Sequence, residues 1–280
     1  MLLGYNTNGF AHHRLEDCLD ILADLGCQSI ALTLDYHALN PYEQEVFKIA
    51  HVRSILEQRR LEAVIETGAR FLLDPRNKHQ PTLLDPDGSA RARRRDFIQR
   101  AIRLAAELGA KVVSLWSGAC PVIEAQQNLL ARLADECRWL ADAAADQAVK
   151  LAFEPEPGMF IATLADFSRL EAQVRHPAFG LTMDIGHLHC QYEDPIPARI
   201  AEWRHVLWNV HIEDMRRNIH EHLPFGEGEI DFPPILQALR NNSYRGGLHI
   251  ELSRHSHDAV NTARKSLAQL KDWLATLPAQ

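Results

Sequence analysis

The segment GLTMDIGH, residues 180–187, runs apolar residues straight into Asp184 and sets His187 three positions beyond. A buried strand that stops on a carboxylate is a common way to build a site at one rim of a barrel. Working outward, the same construction recurs three more times in the second half of the chain. LAFEPEPG (151–158) carries Glu154, VLWNVHIED (206–214) carries His211, and GLHIELSR (247–254) carries Glu251. One such stretch would be noise. Four in series give two glutamates, an aspartate and a histidine, the oxygen and nitrogen ligand set of one divalent ion.

These segments belong to a longer alternation. Strand-like runs are LLGYN (2–6), SIALTL (29–34), LEAVIE (61–66), KVVSLW (111–116), VKLAFE (149–154), FGLTMD (179–184), VLWNVH (206–211) and GLHIE (247–251). Helix-period runs separate them. RLEDCLDILADLG and FIQRAIRLAAELG stop at Gly26 and Gly109, Glu124 to Ala145 reads as a long amphipathic helix, and DAVNTARKSLAQLKDWLATL reads as a final one. Eight βα units in 280 residues predict an α/β fold, a (β/α)8 TIM barrel, as a single domain over residues 1–280. A doubly wound sheet shares the alternation, but no GxGxxG opens a first helix. Two loops exceed structural need: 67–90, expected to form a flap over the barrel mouth, and 213–232 after the seventh strand.

Composition bounds the function. The formal charge of -7 argues against a nucleic-acid or membrane partner, and the Arg91–Arg95 cluster at a helix start reads as a solvated face. The start, MLLGYNTNGF, lacks a signal peptide's basic head and apolar run, and no stretch could span a bilayer. Five cysteines, none in a Cys-x-x-Cys pair, suggest neither a disulfide framework nor a zinc ribbon; the expected compartment is the reducing cytoplasm. A homo-oligomer is compatible with the sequence.

Each site residue also has a plainer reading. A carboxylate at a strand end often caps the following helix, and a lone histidine is more often a hydrogen-bonded core residue than a ligand. It is the convergence of four strand ends that favours a metal. Three carboxylates and one imidazole suit one Mn, Mg or Co ion, with Zn or Fe compatible. On the same rim, His187 stands close enough to ligate or to contact whatever the ion holds. Glu156 follows Glu154 across a proline. The second loop adds Arg216, Arg217, His220 and His222. Trp116 offers an apolar face of the kind that sugar sites use, although packing is the commoner role of such a tryptophan. A metal ringed by two glutamates suggests enediolate chemistry: Glu154 removes a proton and Glu251 returns it, or the reverse, giving epimerisation or aldose–ketose isomerisation.

The order Glu154, MDIGH, His211, Glu251, together with PFGEGEIDF (224–232), resembles the xylose-isomerase-like barrel superfamily. That group contains ketose 3-epimerases, hydroxypyruvate isomerase, inosose dehydratase and the apurinic endonuclease branch. The resemblance spans most of the chain and is sharpest over 149–254. It implies Glu154, Asp184, His211 and Glu251 as metal ligands, and Glu154 and Glu251 as the acid/base pair. It further implies His187, Glu156 and Arg217 as contacts to a small carbohydrate; His222 is a candidate from its loop. Strands three and four end in IETG (65–68) and LWSG (115–118), without the histidines that a trinuclear zinc endonuclease needs. The expectation is therefore a metal-dependent sugar isomerase or epimerase. A dehydratase of a keto-inositol or keto-sugar is the alternative; an endonuclease-type hydrolase and a non-catalytic sugar-binding barrel stand behind it. The flap at 67–90, with His79 on it, departs from the shorter loops of the 3-epimerases.

Overall fold

Each of the eight strand-like runs forms a strand in the computed structural model, which describes residues 1–43, 46–120 and 124–278. They are β1 (Leu2–Asn6), β2 (Ser29–Thr33), β3 (Glu62–Glu66), β4 (Val112–Leu115), β5 (Lys150–Phe153), β6 (Phe179–Asp184), β7 (Leu207–Ile212) and, after a hairpin formed by β8 (Asp214–Arg216) and β9 (Ile219–Leu223), β10 (Gly247–Ile250). The eight close into a barrel in the order β1–β10–β7–β6–β5–β4–β3–β2. β2 and β6 are buried along their whole length, as strands covered on both faces must be.

The connecting helices are α1 (Leu15–Asp24), α2 (Val46–Arg59), α3 (Gly88–Leu108), α4 (Gln126–Asp146), α5 (Leu164–Val174), α6 (Ile185–Cys190), α7 (Ile196–Trp203), α8 (Phe232–Asn241) and α9 (Ala259–Thr276). None among the described residues is long and apolar enough to cross a membrane. The architecture is a (β/α)8 TIM barrel, as the alternation predicts.

Two compact units divide the chain: one contains Met1–Leu32, Ser54–Ala63 and Met183–Gln280, the other Thr33–Arg53 and Val64–Thr182. In the first, one level of the sheet runs Ser29, Gly4, His249, His211, successive Cα partners on β2, β1, β10 and β7. In the second, β5 pairs with β4 and with β6, Phe153 lying opposite Leu181. Phe153, Phe167 and Phe179 meet there at centroid distances of 5.9–6.2 Å.

Three local readings change. The 213–232 loop contains the antiparallel β8–β9 hairpin. The strand β6 turns directly into the six-residue α6, with no break in sequence to separate them. The Arg91–Arg95 cluster is not wholly solvated: Arg95 pairs with Glu136 at 3.2 Å, but Arg94 is buried. Its guanidinium lies 5.3 Å from the Phe97 ring centroid and 4.9 Å from that of Trp116, and it donates to the Thr67 carbonyl at 2.9 Å. Burial lowers its pKa to about 10.

Candidate metal centre

Three of the sequence-predicted ligands meet in the first unit. Asp184 closes β6, His211 lies one residue before the end of β7, and Glu251 follows the last residue of β10. Each offers a ligand atom within 4.8 Å of the others. His211 Nδ1 is 2.9 Å from Glu251 Oε2 and 4.0 Å from Asp184 Oδ2. In parallel strands these positions share the C-terminal rim, where barrel sites form.

Asp184 fulfils the plainer of its two sequence readings and leaves one oxygen over. Its Oδ1 accepts the His187 N–H at 2.8 Å, capping α6. Its Oδ2 stays buried with no hydrogen-bond partner among the described residues. A buried carboxylate oxygen left unpaired beside an imidazole and a second carboxylate is what a divalent cation would satisfy. The donor set therefore fits the ion that the sequence implies.

The electrostatics agree. Burial by itself would raise the carboxyl pKa values of Asp184 and Glu251. Neighbouring histidines override it, His187 foremost for Asp184 and His211 foremost for Glu251, so both sit below the ordinary range. The Glu251 Oε1 accepts from the Asn8 amide at 2.7 Å. In sequence the one signal that marks Asn8 is its place two residues past the end of β1.

A second residue is as faintly marked. Glu213 is fully buried, its carboxylate between Asp184 and His222, whose Nδ1 is 3.8 Å away. Burial, and then the Asp184 charge, raise its pKa well above the usual value. Gly186 makes the space, since a Cβ there would fall 2.1 Å from Glu213 Oε1.

His187, His220 and His222 gather beside Asp184. His187 Nε2 and His220 Nε2 are 3.0 Å apart, and the His187 ring lies 5.6 Å from that of His222. Burial chiefly, then the two neighbouring imidazoles, bring His220 down to about 3. His220 therefore presents a neutral imidazole at pH 7, able to donate and accept hydrogen bonds to hydroxyl groups. The β8–β9 hairpin delivers two of the three, because His220 and His222 occupy alternate positions on β9. At its tip, Arg217 pairs with Asp194 at 2.7 Å and lies 4.7 Å from the Tyr192 ring centroid, so its guanidinium is engaged on the protein.

The remaining candidates lie in the second unit. Glu154 directly follows β5 and is buried. Glu156 starts a turn closed by its own N–H to Ile161 at 3.1 Å and by the Met159 N–H to its carbonyl at 3.0 Å. Trp116 is buried, edge-on to His79 with centroids 5.2 Å apart. His79 hydrogen-bonds through Nδ1 with the Gly68 carbonyl at 2.7 Å, and burial lowers its pKa to about 4. The 67–90 segment is accordingly packed, with Leu73, Thr82, Leu83 and Leu84 buried.

Comparison with known proteins agrees with this architecture. The chain is 27% identical over 215 residues to L-ribulose-5-phosphate 3-epimerase UlaE of Salmonella typhi, covering 76% of this chain and 74% of that protein. Among solved structures, a D-tagatose 3-epimerase-like protein superposes with a TM-score of 0.81 at 20% identity, covering 98% of this chain and 97% of that one. The IOLI protein with a bound zinc atom superposes at 0.77 and 17% identity over the full length of both. The family model described as xylose isomerase-like TIM barrel matches residues 19–276. The chain belongs to the xylose isomerase-like TIM barrel family.

Proposed function

We propose that this chain is a divalent-metal-dependent enzyme that epimerises or isomerises a small sugar, ketose or sugar derivative through an enediolate. The observation that carries the reading is the meeting of Asp184, His211 and Glu251 around the unpaired Asp184 Oδ2. Glu154 is the fourth ligand in this reading: it follows β5 as Asp184 ends the strand paired with it. The name of the curated relative, a ribulose-phosphate epimerase, supports a ketose as substrate. The oxygen-rich donor set suits Mn, Mg or Co.

The ion would polarise the substrate carbonyl and stabilise the charge of the enediolate. The protein's own residues handle the proton. Glu154 and Glu251 are the acid/base pair, one removing the proton α to the carbonyl and the other returning it. Asn8 bonds one Glu251 oxygen and so fixes the rotation of the carboxylate. His187, His220 and His222 bind substrate hydroxyls, with Glu156 and Trp116 as further contacts.

Incubation of ketoses with Mn²⁺ in deuterated water tests this. We expect deuterium in product of unchanged heavy-atom composition, and a loss of roughly 10²–10⁴-fold in turnover for Glu251→Gln or Glu154→Gln. Loss of water during turnover would instead indicate a dehydratase. A folded, metal-loaded Glu251→Gln variant with near-normal turnover would overturn the acid/base assignment.

A further inference from the structure

Behind His211, on the side away from Glu251, a chain of buried polar groups runs along one face of the sheet. His211 Nε2 lies 3.2 Å from the Asn209 amide Nδ2; Asn209 Oδ1 lies 2.8 Å from His249 Nδ1; His249 Nε2 lies 2.8 Å from Ser29 Oγ. All four residues are essentially inaccessible, at 1%, 0%, 0% and 2% exposure. We propose that Asn209, His249 and Ser29 position the His211 imidazole, and that the direction of their hydrogen bonds decides which His211 nitrogen carries its proton. This rests on the reading of His211 as a metal ligand.

The sequence makes room for the chain at some cost in packing. Barrel interiors are ordinarily filled by branched apolar side chains. Here the level that runs Ser29, Gly4, His249, His211 has a glycine where His249 must lean across β1 to reach Ser29. A Cβ on Gly4 would lie 2.6 Å from His249 Cδ2. One on Gly247 would lie 2.4 Å from His249 Nε2 and 2.6 Å from Ser29 Oγ. Two strand glycines, both usually unfavourable, are needed for one histidine and its bond.

The chain has two consistent directions. A neutral imidazole carries one N–H. With the Asn209 amide as placed, its Nδ2 donates to His211 Nε2. His249 Nδ1 then donates to Oδ1, Ser29 donates to His249 Nε2, and the His211 proton sits on Nδ1 facing Glu251. Turning the amide over reverses every bond. His211 Nε2–H donates to Oδ1, Nδ2 donates to His249 Nδ1, and His249 Nε2–H donates to Ser29 Oγ. Each imidazole keeps a single proton throughout. In this second direction Nδ1 presents its lone pair between Asp184 and Glu251, as a ligand must. Outer partners of this kind fix the tautomer and orientation of a ligating histidine.

The test is Zn²⁺ affinity by calorimetry, with side-chain ¹H–¹⁵N spectra reporting the His211 tautomer. Asn209→Leu should weaken Zn²⁺ binding roughly 10–100-fold, Ser29→Ala less, and Gly4→Ala measurably although it touches no ligand. The Zn²⁺-loaded parent protein should carry the His211 proton on Nε2. A role confined to packing would lower the stability of these variants and leave affinity and tautomer unchanged. Wild-type affinity, within about twofold, in folded Asn209→Leu, or a loaded protein with its proton on Nδ1, would overturn the proposal. Should Asn209→Leu not fold, Ser29→Ala together with His249→Gln decides, and wild-type affinity in both is equally fatal. His211→Ala separates the two readings: if it binds Zn²⁺ as tightly as the parent, the ligand assignment itself fails.

Discussion

Asp184 uses its two carboxylate oxygens differently, one capping α6 and one facing His211. The uses come apart by substitution. Asn caps a helix about as well as Asp, so Asp184→Asn should keep the stability of the chelator-treated protein within about 0.5 kcal/mol while losing bound metal. Asp184→Ala should lose the metal and about 1 kcal/mol besides. Urea unfolding and elemental analysis measure the pair; full metal content in Asp184→Asn would contradict the ligand role. Asp184, His211 and Glu251 were legible because each ends an apolar run, a pattern that depends only on neighbours in sequence. Asn8 and Glu213 were not. Asn8 gains its role from Glu251, 243 positions away, and Glu213 from a space that Gly186 leaves open. Arg94 was hidden within a basic run, where only packing distinguishes a buried guanidinium from its solvated neighbours.

At the scale of elements, the β8–β9 hairpin and the GEGEIDF segment form one folded loop pinned by Asp214. Its Oδ1 accepts the N–H groups of Met215 and Ile230 at 2.9 and 3.1 Å, and its Oδ2 accepts that of Gly226 at 2.8 Å. A Cβ on Gly228 would fall 2.2 Å from Asp214 Oδ1, which explains one glycine of the motif. The hairpin tip is tied down separately, Asn218 donating to the Tyr192 hydroxyl at 2.7 Å and Arg217 pairing with Asp194. Because this loop presents His220 and His222 but none of the four proposed metal ligands, Asp214→Ala and Arg217→Ala should each raise KM severalfold with bound metal unchanged. Steady-state kinetics beside elemental analysis checks both. In sequence this segment reads as an irregular loop because IHEHL, with its charges and imidazoles, lacks the apolar run of a buried strand. Its two-residue turn at Arg217–Asn218, with Asn218 at φ 60°, is the signal that could have shown a hairpin.

At the scale of the whole molecule, the eightfold alternation was enough for the architecture, since parallel strands buried on both faces announce themselves as apolar runs. The same burial sets an acid limit. His79, His220 and His249 hold pKa values of about 4, 3 and 3, burial being the leading cause in each, whereas an unfolded chain protonates its histidines near 6.5. Below about pH 6.5 the unfolded state therefore binds more protons, and stability falls from there toward pH 4; above pH 7 these groups contribute no slope. Thermal unfolding in chelator should show a midpoint lower at pH 5 than at pH 7.5, and an equal midpoint would contradict the burial assigned to these rings. The first strand also closes against the last, and Asn8 meets Glu251 across that seam. On a ribosome, Asn8 would wait for the 243 positions that separate it from Glu251 to be synthesised before its partner appeared. The proposed centre is thus complete only once β1 has met β10, and acquisition of an ion would follow that closure rather than guide the strands that precede it.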